Sequence, residues 1–403
     1  MLTVEEAQAR VLEEVPLLER EDIPLAEAHG RILREDVRAT ADVPERDNSA
    51  MDGYAVRAED IANAPAWLPV TGDLPAGTMP SIPLLGGTAI RIMTGALLPE
   101  GADTVAHVEI TDGGRDLVRI DHALGRGTNV RRRGEDMRRG DIVLTSGGVI
   151  RAGELGVLAS VQRTTVSVGR RPTIAILSTG DELIDVDKPR VPGKIVNANS
   201  WSLAALATEA GAIPRRSGIV ADTREATVEA LERALSCDFI VTSGGVSVGA
   251  WDFVKDALDA LGAEQKFWRV AMKPGKPVVL STLRGRLVFG LPGNPVSCMV
   301  SFHLFVAPAI RKAMGQSGVL TPPSVTMPLA EALVSKGDRR TYMRVHVRAD
   351  QGVLRAHPMR AQGSGVSTSM IAANGLAVVA EGVTRVEAGA QVDVILIGPV
   401  TNA

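Results

Sequence analysis

The sequence predicts an α/β multidomain protein built around a three-layer αβα unit with a parallel sheet. Three observations carry this. Pro172–Gly315 alternates apolar, strand-like runs with helical patterns, which argues a parallel sheet with helices on both faces. On either side, residues 66–144 and 324–403 are short apolar pieces broken by Gly and Pro, the texture of small β units. A chain of 403 residues is long for one domain, and two to four is the natural expectation.

The elements follow in order. Thr3 and Glu6 form a capping-box pattern ahead of an amphipathic helix through about Leu18. Ile23–Ala39 reads as a short strand, a turn near Gly30, and a further strand or helix start. Val43–Val56 is polar, weakly periodic and dense in side-chain function, with Asp47, Asn48, Ser49 and Asp52 together. The β-rich stretch ends in a basic turn, with Arg131–Arg133 and Arg138–Arg139 read as a solvated surface. A helix from about Ala152 and a strand precede Pro172.

In the alternating segment, Ile174–Leu177 is a strand and a helix follows Asn199–Ser200. Ile213–Val220 is a strand, and Asp222 or Thr223 caps the next helix. Phe239–Val241 runs into a Gly-rich loop and a helix beginning near Trp251. Lys266–Met272, Val278–Leu280 and Leu287–Gly290 are further strands, and Pro295 opens the last helix. Pro322 and Pro323 mark a linker, and the strands beyond it suggest a small barrel or sandwich.

Ligands of such sheets bind beyond the carboxyl ends of the strands. Five loops there are rich in chemistry: Ser178–Glu182, Asp222, the loop with Gly244, Gly245, Ser247 and Asp252, Lys273–Pro277, and Leu291–Ser297. Carboxylates, hydroxyls and two lysines on one rim describe a site for a phosphate-bearing ligand and a hard divalent metal. The single features have plainer readings too. Gly244 and Gly245 suit a bare tight turn, Asp222 and Asp252 suit helix caps, and Asn294 between two prolines suits a turn. Lys273 and Lys276 flank a stiff Pro-Gly pair, which favours oxyanion contact over solvated lysines.

Composition removes other classes. Lys plus Arg count 44 against 47 acidic residues, a net charge of −3, and aromatics make up 3%. Both argue against a nucleic-acid partner. Two cysteines make neither a disulfide framework nor a Cys-based zinc site, and the chain reads as reduced and cytoplasmic. Leu287–Ile310 lacks charge, but Pro292–Pro295 break it short of a ~20-residue membrane span. The six histidines show no HExxH spacing, and no GxSxG or Walker pattern is present.

At these residues the chain resembles the molybdopterin molybdenumtransferase family, which acts last in molybdenum cofactor synthesis. The carriers are DNSAMDGYAV (47–56), MTGALLPEGADTV (93–105), RRGEDM (132–137), ILSTGDEL (176–183), TSGGVSVG (242–249), VAMKPGKP (270–277), LPGNPVS (291–297) and GSGVSTSM (363–370). The glycine loop alone is shared with molybdopterin adenylyltransferases.

The resemblance implies an elongated linker domain of residues 1–45 and 146–171. It implies a small β-rich domain of 46–145, an αβα molybdopterin-binding domain of 172–320 and a C-terminal β domain of 321–403. It implies a homodimer, with Asp52 of one subunit facing the αβα rim of the other, and an adenylyltransferase as upstream partner. The implied reaction takes adenylylated molybdopterin and molybdate, cleaves the phosphoanhydride and releases AMP, with Mg²⁺ or a similar cation. On that reading Asp52, Glu182, Asp222 and Asp252 share metal binding and water activation, assisted by Asp136, with Glu182, Asp222 and Asp52 as ligands. Lys273 and Lys276 hold phosphate or molybdate oxygens, with Ser297, Arg344 and Ser367 as further candidates. Gly244, Gly245 and Ser247 cradle the pterin phosphate, and Thr94, Pro277 and Asn294 complete the binding set. The rival functions are adenylyl transfer itself and a gephyrin-like scaffold.

Overall fold

The computed structural model describes residues 1–246 and 253–402. At its centre is a six-stranded sheet. Its strands are β1 (Thr173–Thr179), β2 (Ile213–Val220), β3 (Phe239–Ser243), β4 (Glu264–Trp268), β5 (Val279–Leu283) and β6 (Arg286–Leu291), in spatial order β2-β1-β3-β6-β5-β4. Side chains alternate between two cores. Ile174, Ile176, Phe239, Val241, Leu287 and Phe289 pack against α1 (Ala198–Glu209) and the helical run from Pro295 to Ala313. Ala175, Leu177, Ile240 and Val288 pack against α2 (Arg224–Ala234) and α3 (Phe253–Ala260). The period of two along each strand thus builds three layers from one sheet.

The sheet differs from the sequence expectation in being mixed. β2, β1, β3 and β6 are parallel, whereas β5 pairs antiparallel with both β6 and β4. The reason is local. Leu283 pairs with Arg286, leaving Arg284 and Gly285 as a two-residue turn with φ of 48° and 78°. Positive φ at both positions makes a tight hairpin, and a hairpin can only join antiparallel neighbours.

Other boundaries also move. The first helix ends at Glu14, because Pro16 pushes Val15 into an extended conformation. The expected strand Lys266–Met272 divides: β4 stops at Trp268, and Met272–Lys273 instead pairs in parallel with Arg340–Thr341 of the C-terminal sheet. Asn197, not Asn199, caps α1, and of the two expected caps of α2 it is Thr223 that serves. The Asn199 and Asp222 side chains are thereby left to the rim.

Around the central unit, Arg20–Pro24 pairs antiparallel with Thr165–Gly169, and residues between 23 and 39 share an apolar cluster with residues between 137 and 168. A five-stranded sheet lies between them in sequence, running from Gly53–Val56 to Leu117–Ile120. The C-terminal strands centre on Arg340–Asp350, and a bridge from Leu329 to Ala356 curls that sheet toward closure. Among the described residues, no helix is long and apolar enough to cross a membrane.

Candidate active site

The rim is assembled by backbone contacts that few residue types permit. At the end of β3, Gly244 (φ 94°) and Gly245 (φ 67°) turn the chain under Thr179, whose Oγ1 would lie 3.1 and 3.0 Å from a Cβ added at either position. Any larger residue would be strained in φ and would crowd that hydroxyl. The Gly244 N–H donates to the Leu291 carbonyl at 3.0 Å, so the glycine loop is fastened to the strand that leads into Pro292–Pro295.

A third loop joins them through Asn199. Because Asn197 does the capping, the Asn199 amide is available, and its Nδ2 donates to Ser243 Oγ at 2.8 Å and to the Gly293 carbonyl at 2.7 Å. The sequence reading missed this residue, placing it only at the helix start; the dense polar run Asn197–Ser200 is the signal that was present. A fourth tie is reciprocal. The Asp181 N–H donates to Asp222 Oδ2 at 3.2 Å, and the Asp222 N–H donates to Asp181 Oδ1 at 3.1 Å. The Glu182 carboxylate folds over Gly180, where a Cβ would collide with it.

These ties define two clefts that meet at Asn294. One, of about 630 Å³, is lined by Thr179, Glu182, Asn199, Ser243, Gly244 and Asn294, with Gly365 and Ser367 from the C-terminal segment. The other, of about 510 Å³, holds Lys273, Lys276, Pro277, Ser297, Arg339 and Arg344, with Asn294 on its edge. Asn294 starts its helix without a side-chain cap, so its amide is not consumed as a turn former.

The second cleft is cationic for a structural reason. Arg344 is 1% exposed, yet among the described residues its guanidinium donates only to the carbonyls of Ala361 and Gly363, and its buried Nε has no partner there. Burial lowers its pKa from the ordinary value, but a guanidinium stays charged in a protein. Among the described residues, neither Arg344, Lys273 nor Lys276 forms an ion pair. A buried cation without a counter-charge costs several kcal/mol, and a bound oxyanion would offset that cost.

The expected residues therefore sort into groups. Glu182, Gly244, Asn294 and Ser367 share one cleft, and Lys273, Lys276, Pro277, Asn294, Ser297 and Arg344 share the other. Gly245, the second residue of the glycine turn, borders neither cleft but a separate pocket with Val246 and Val254, and Asp222 is tied to Asp181 beside Glu182. Asp52 and Thr94 meet elsewhere: Asp52 Oδ1 accepts from the Thr94 N–H at 2.6 Å and hydroxyl at 2.8 Å, and these bonds hold its carboxyl below the usual range. Neither Asp52 nor Asp136 lines either cleft of its own chain. Ser247 and Asp252 lie outside the described residues. The basic turn is ion-paired, with Arg132 on Asp47 at 2.7 Å and Arg133 on Asp42 at 2.5 Å. Among the described residues, no three His, Cys, Asp or Glu side chains gather into a closed metal cluster.

Comparison with known proteins gives consistent matches along the chain. Residues 2–161 match the MoeA N-terminal region (domain I and II), 175–312 a probable molybdopterin binding domain, and 326–397 the MoeA C-terminal region (domain IV). A molybdopterin molybdenumtransferase of a Nostoc species is 40% identical over 386 residues, 93% of this chain and 88% of that protein. The molybdopterin molybdenumtransferase 2 of Mycobacterium tuberculosis is 38% identical over 404 residues, 98% and 99% of the two chains. The crystal structure of the molybdopterin biosynthesis moeA protein of Pyrococcus horikoshii superposes with a TM-score of 0.84 at 29% identity, covering 98% of this chain and 100% of that one.

Proposed function

The chain belongs to the molybdopterin molybdenumtransferase family, and from that premise we propose how its two clefts divide the work of molybdenum insertion. It is an enzyme of molybdenum cofactor biosynthesis. Its substrates are molybdate and adenylylated molybdopterin. The phosphoanhydride is cleaved, AMP leaves, and molybdenum passes to the dithiolene sulfurs. The single observation that carries the division is the unpaired, buried Arg344 beside Lys273 and Lys276, next to a cleft with a carboxylate and a glycine turn.

In the cationic cleft, Lys273, Lys276, Arg344 and Ser297 take the oxygens of molybdate. The planar guanidinium and the point-charge ammoniums neutralise it, while the nearby Asp338 carboxylate is engaged by Arg339. In the other cleft, Gly244 allows the backbone to approach the pterin phosphate, Asn294 bridges the two sites, and Ser367 closes the rim. Asp222 braces the loop that carries Glu182, and Thr94 fixes Asp52.

Mg²⁺ fits the donor set. It binds through one or two carboxylates, waters and substrate phosphates, without needing a closed protein cage. Glu182 and the Asp222 oxygen not engaged by Asp181 supply hard oxygen donors on one rim. When bound, the ion would neutralise charge on the phosphoanhydride. Asp52 completes the site from a second copy in a homodimer. Support for that is its orientation by Thr94 at an exposed position outside its own chain's clefts. The upstream partner is the molybdopterin adenylyltransferase that makes the substrate. A cytoplasmic setting accords with two free, buried cysteines.

The test is turnover of adenylylated molybdopterin with molybdate, followed by AMP release. Asp52→Ala and Glu182→Ala are expected to abolish insertion while melting as the wild type does. Near-normal turnover of either purified variant would overturn the assignment. Consumption of ATP in place of the adenylylated substrate would favour the adenylyltransferase reading.

A further inference from the structure

We infer that the N-terminal segment is a positioning brace for the cationic cleft, acting on Lys273 through the Glu5–Arg340 ion pair. The inference rests on the oxyanion reading of that cleft. Lys273 sits in a strand of two residues, Met272–Lys273, and so short a strand cannot hold its own position. It is gripped from two sides. On one side, the Ala271 N–H donates to the Leu2 carbonyl at 2.8 Å, and Leu2 bridges Val270 in parallel. On the other, Met272 faces Arg340 and Lys273 faces Thr341, while Arg339 Nη1 donates to the Met272 carbonyl at 3.3 Å.

Both sides converge on the first helix. Its capping box joins Thr3 and Glu6, Val4 is 3% exposed, and Glu5 ion-pairs with Arg340. Arg340 shares its strand with Tyr342, and Tyr342 lines the cationic cleft. Glu5 itself does not line that cleft. The pair therefore ties the strand that carries Thr341, Tyr342 and Arg344 to the helix that follows Leu2, the residue whose carbonyl holds Ala271 at the head of the lysine segment. A lysine is a point charge on a flexible stem, so its hold on an oxyanion depends on where its backbone is fixed.

The test uses the full chain and molybdate as the probe. Glu5→Gln is expected to raise the molybdate Kd about three- to tenfold, by titration calorimetry, while the KM for adenylylated molybdopterin stays within about twofold. Glu5→Lys combined with Arg340→Glu restores a pair of reversed sign and is expected to recover most of the affinity. A merely structural role would lower the melting temperature of Glu5→Gln and leave the Kd alone. Wild-type affinity in Glu5→Gln overturns the brace, and so does a reversed pair that stays as weak as Glu5→Gln. Lys273→Ala with Lys276→Ala separates the two readings. If that variant still binds molybdate as the wild type does, the cleft assignment fails. If it loses binding while Glu5→Gln does not, only the brace fails.

Discussion

Arg344 concentrates the electrostatics of the second cleft in one side chain. Its burial is a cost in the ligand-free protein, because two carbonyls and an unpartnered Nε do not replace a full hydration shell. Arg344→Met removes both the cost and the charge. The expected outcome is a molybdate KM raised about tenfold or more, with thermal stability unchanged or higher by up to ~1–2 kcal/mol. Steady-state kinetics and a melting curve check both. Asp52 gives a prediction with a sign in pH. The Thr94 N–H and hydroxyl favour its ionised form and hold its pKa down. Thr94→Val removes the hydroxyl, so the carboxyl pKa rises toward its ordinary value. The acid limb of the rate profile then moves to higher pH, and a profile identical to the wild type would show that Asp52 does not limit turnover.

At the scale of elements, the rim depends on Asn199 tying α1 to the loops after β3 and β6. Asn199→Ala leaves Ser243 Oγ and the exposed Gly293 carbonyl without that donor, a loss of about 0.5–1.5 kcal/mol. The expected kinetic effect is a larger rise in KM for the pterin substrate than for molybdate, because both freed groups border the Glu182 cleft. A molybdate KM that rises equally would place the loss elsewhere. The same tie shows why parts of the site were hidden in the sequence. The motifs at Lys273–Pro277 and Leu291–Ser297 were legible because Gly and Pro advertise rigid loops. Asn199 was not, since an Asn near a helix start looks like a cap, and only the backbone geometry assigns capping to Asn197. The hairpin at Arg284–Gly285 was in principle readable, but two apolar runs beside it suit a buried parallel sheet equally well.

At the scale of the whole molecule, Asp52 and Glu182 lie in different parts of one chain and share no cleft. If the site is completed by a second copy, a mixture of Asp52→Ala and Glu182→Ala subunits recovers activity that neither variant has alone. Half the dimers are then mixed, each with one intact site, so about a quarter of wild-type turnover is expected. No recovery after confirmed subunit exchange would refute the shared site. The junction between Arg170 and the central sheet is a separate anchor. Burial would raise the Asp238 carboxyl, but Arg170 and Thr173 outweigh it and hold the pKa at about 2. A depressed carboxyl contributes stability above its unfolded pKa, and that contribution fades as pH falls from about 4 toward 2. Asp238→Asn is expected to cost about 1–3 kcal/mol near neutrality, less than a fully buried pair because Arg170 is a third exposed. The difference from wild type narrows over that acid window, as denaturant melts at several pH values would register.

By itself the sequence determined the α/β alternation, the small β units and the loops that carry chemistry. Those depend on local periodicity and on the backbone limits of Gly and Pro, which act within a few residues. Only the tertiary structure decided that Met272–Lys273 leaves one sheet for another, that Asp181 and Asp222 exchange hydrogen bonds across two loops, and that Arg344 is buried without a counter-charge. Each joins groups distant in the chain, and no local pattern reports which of several polar residues will meet once the layers close.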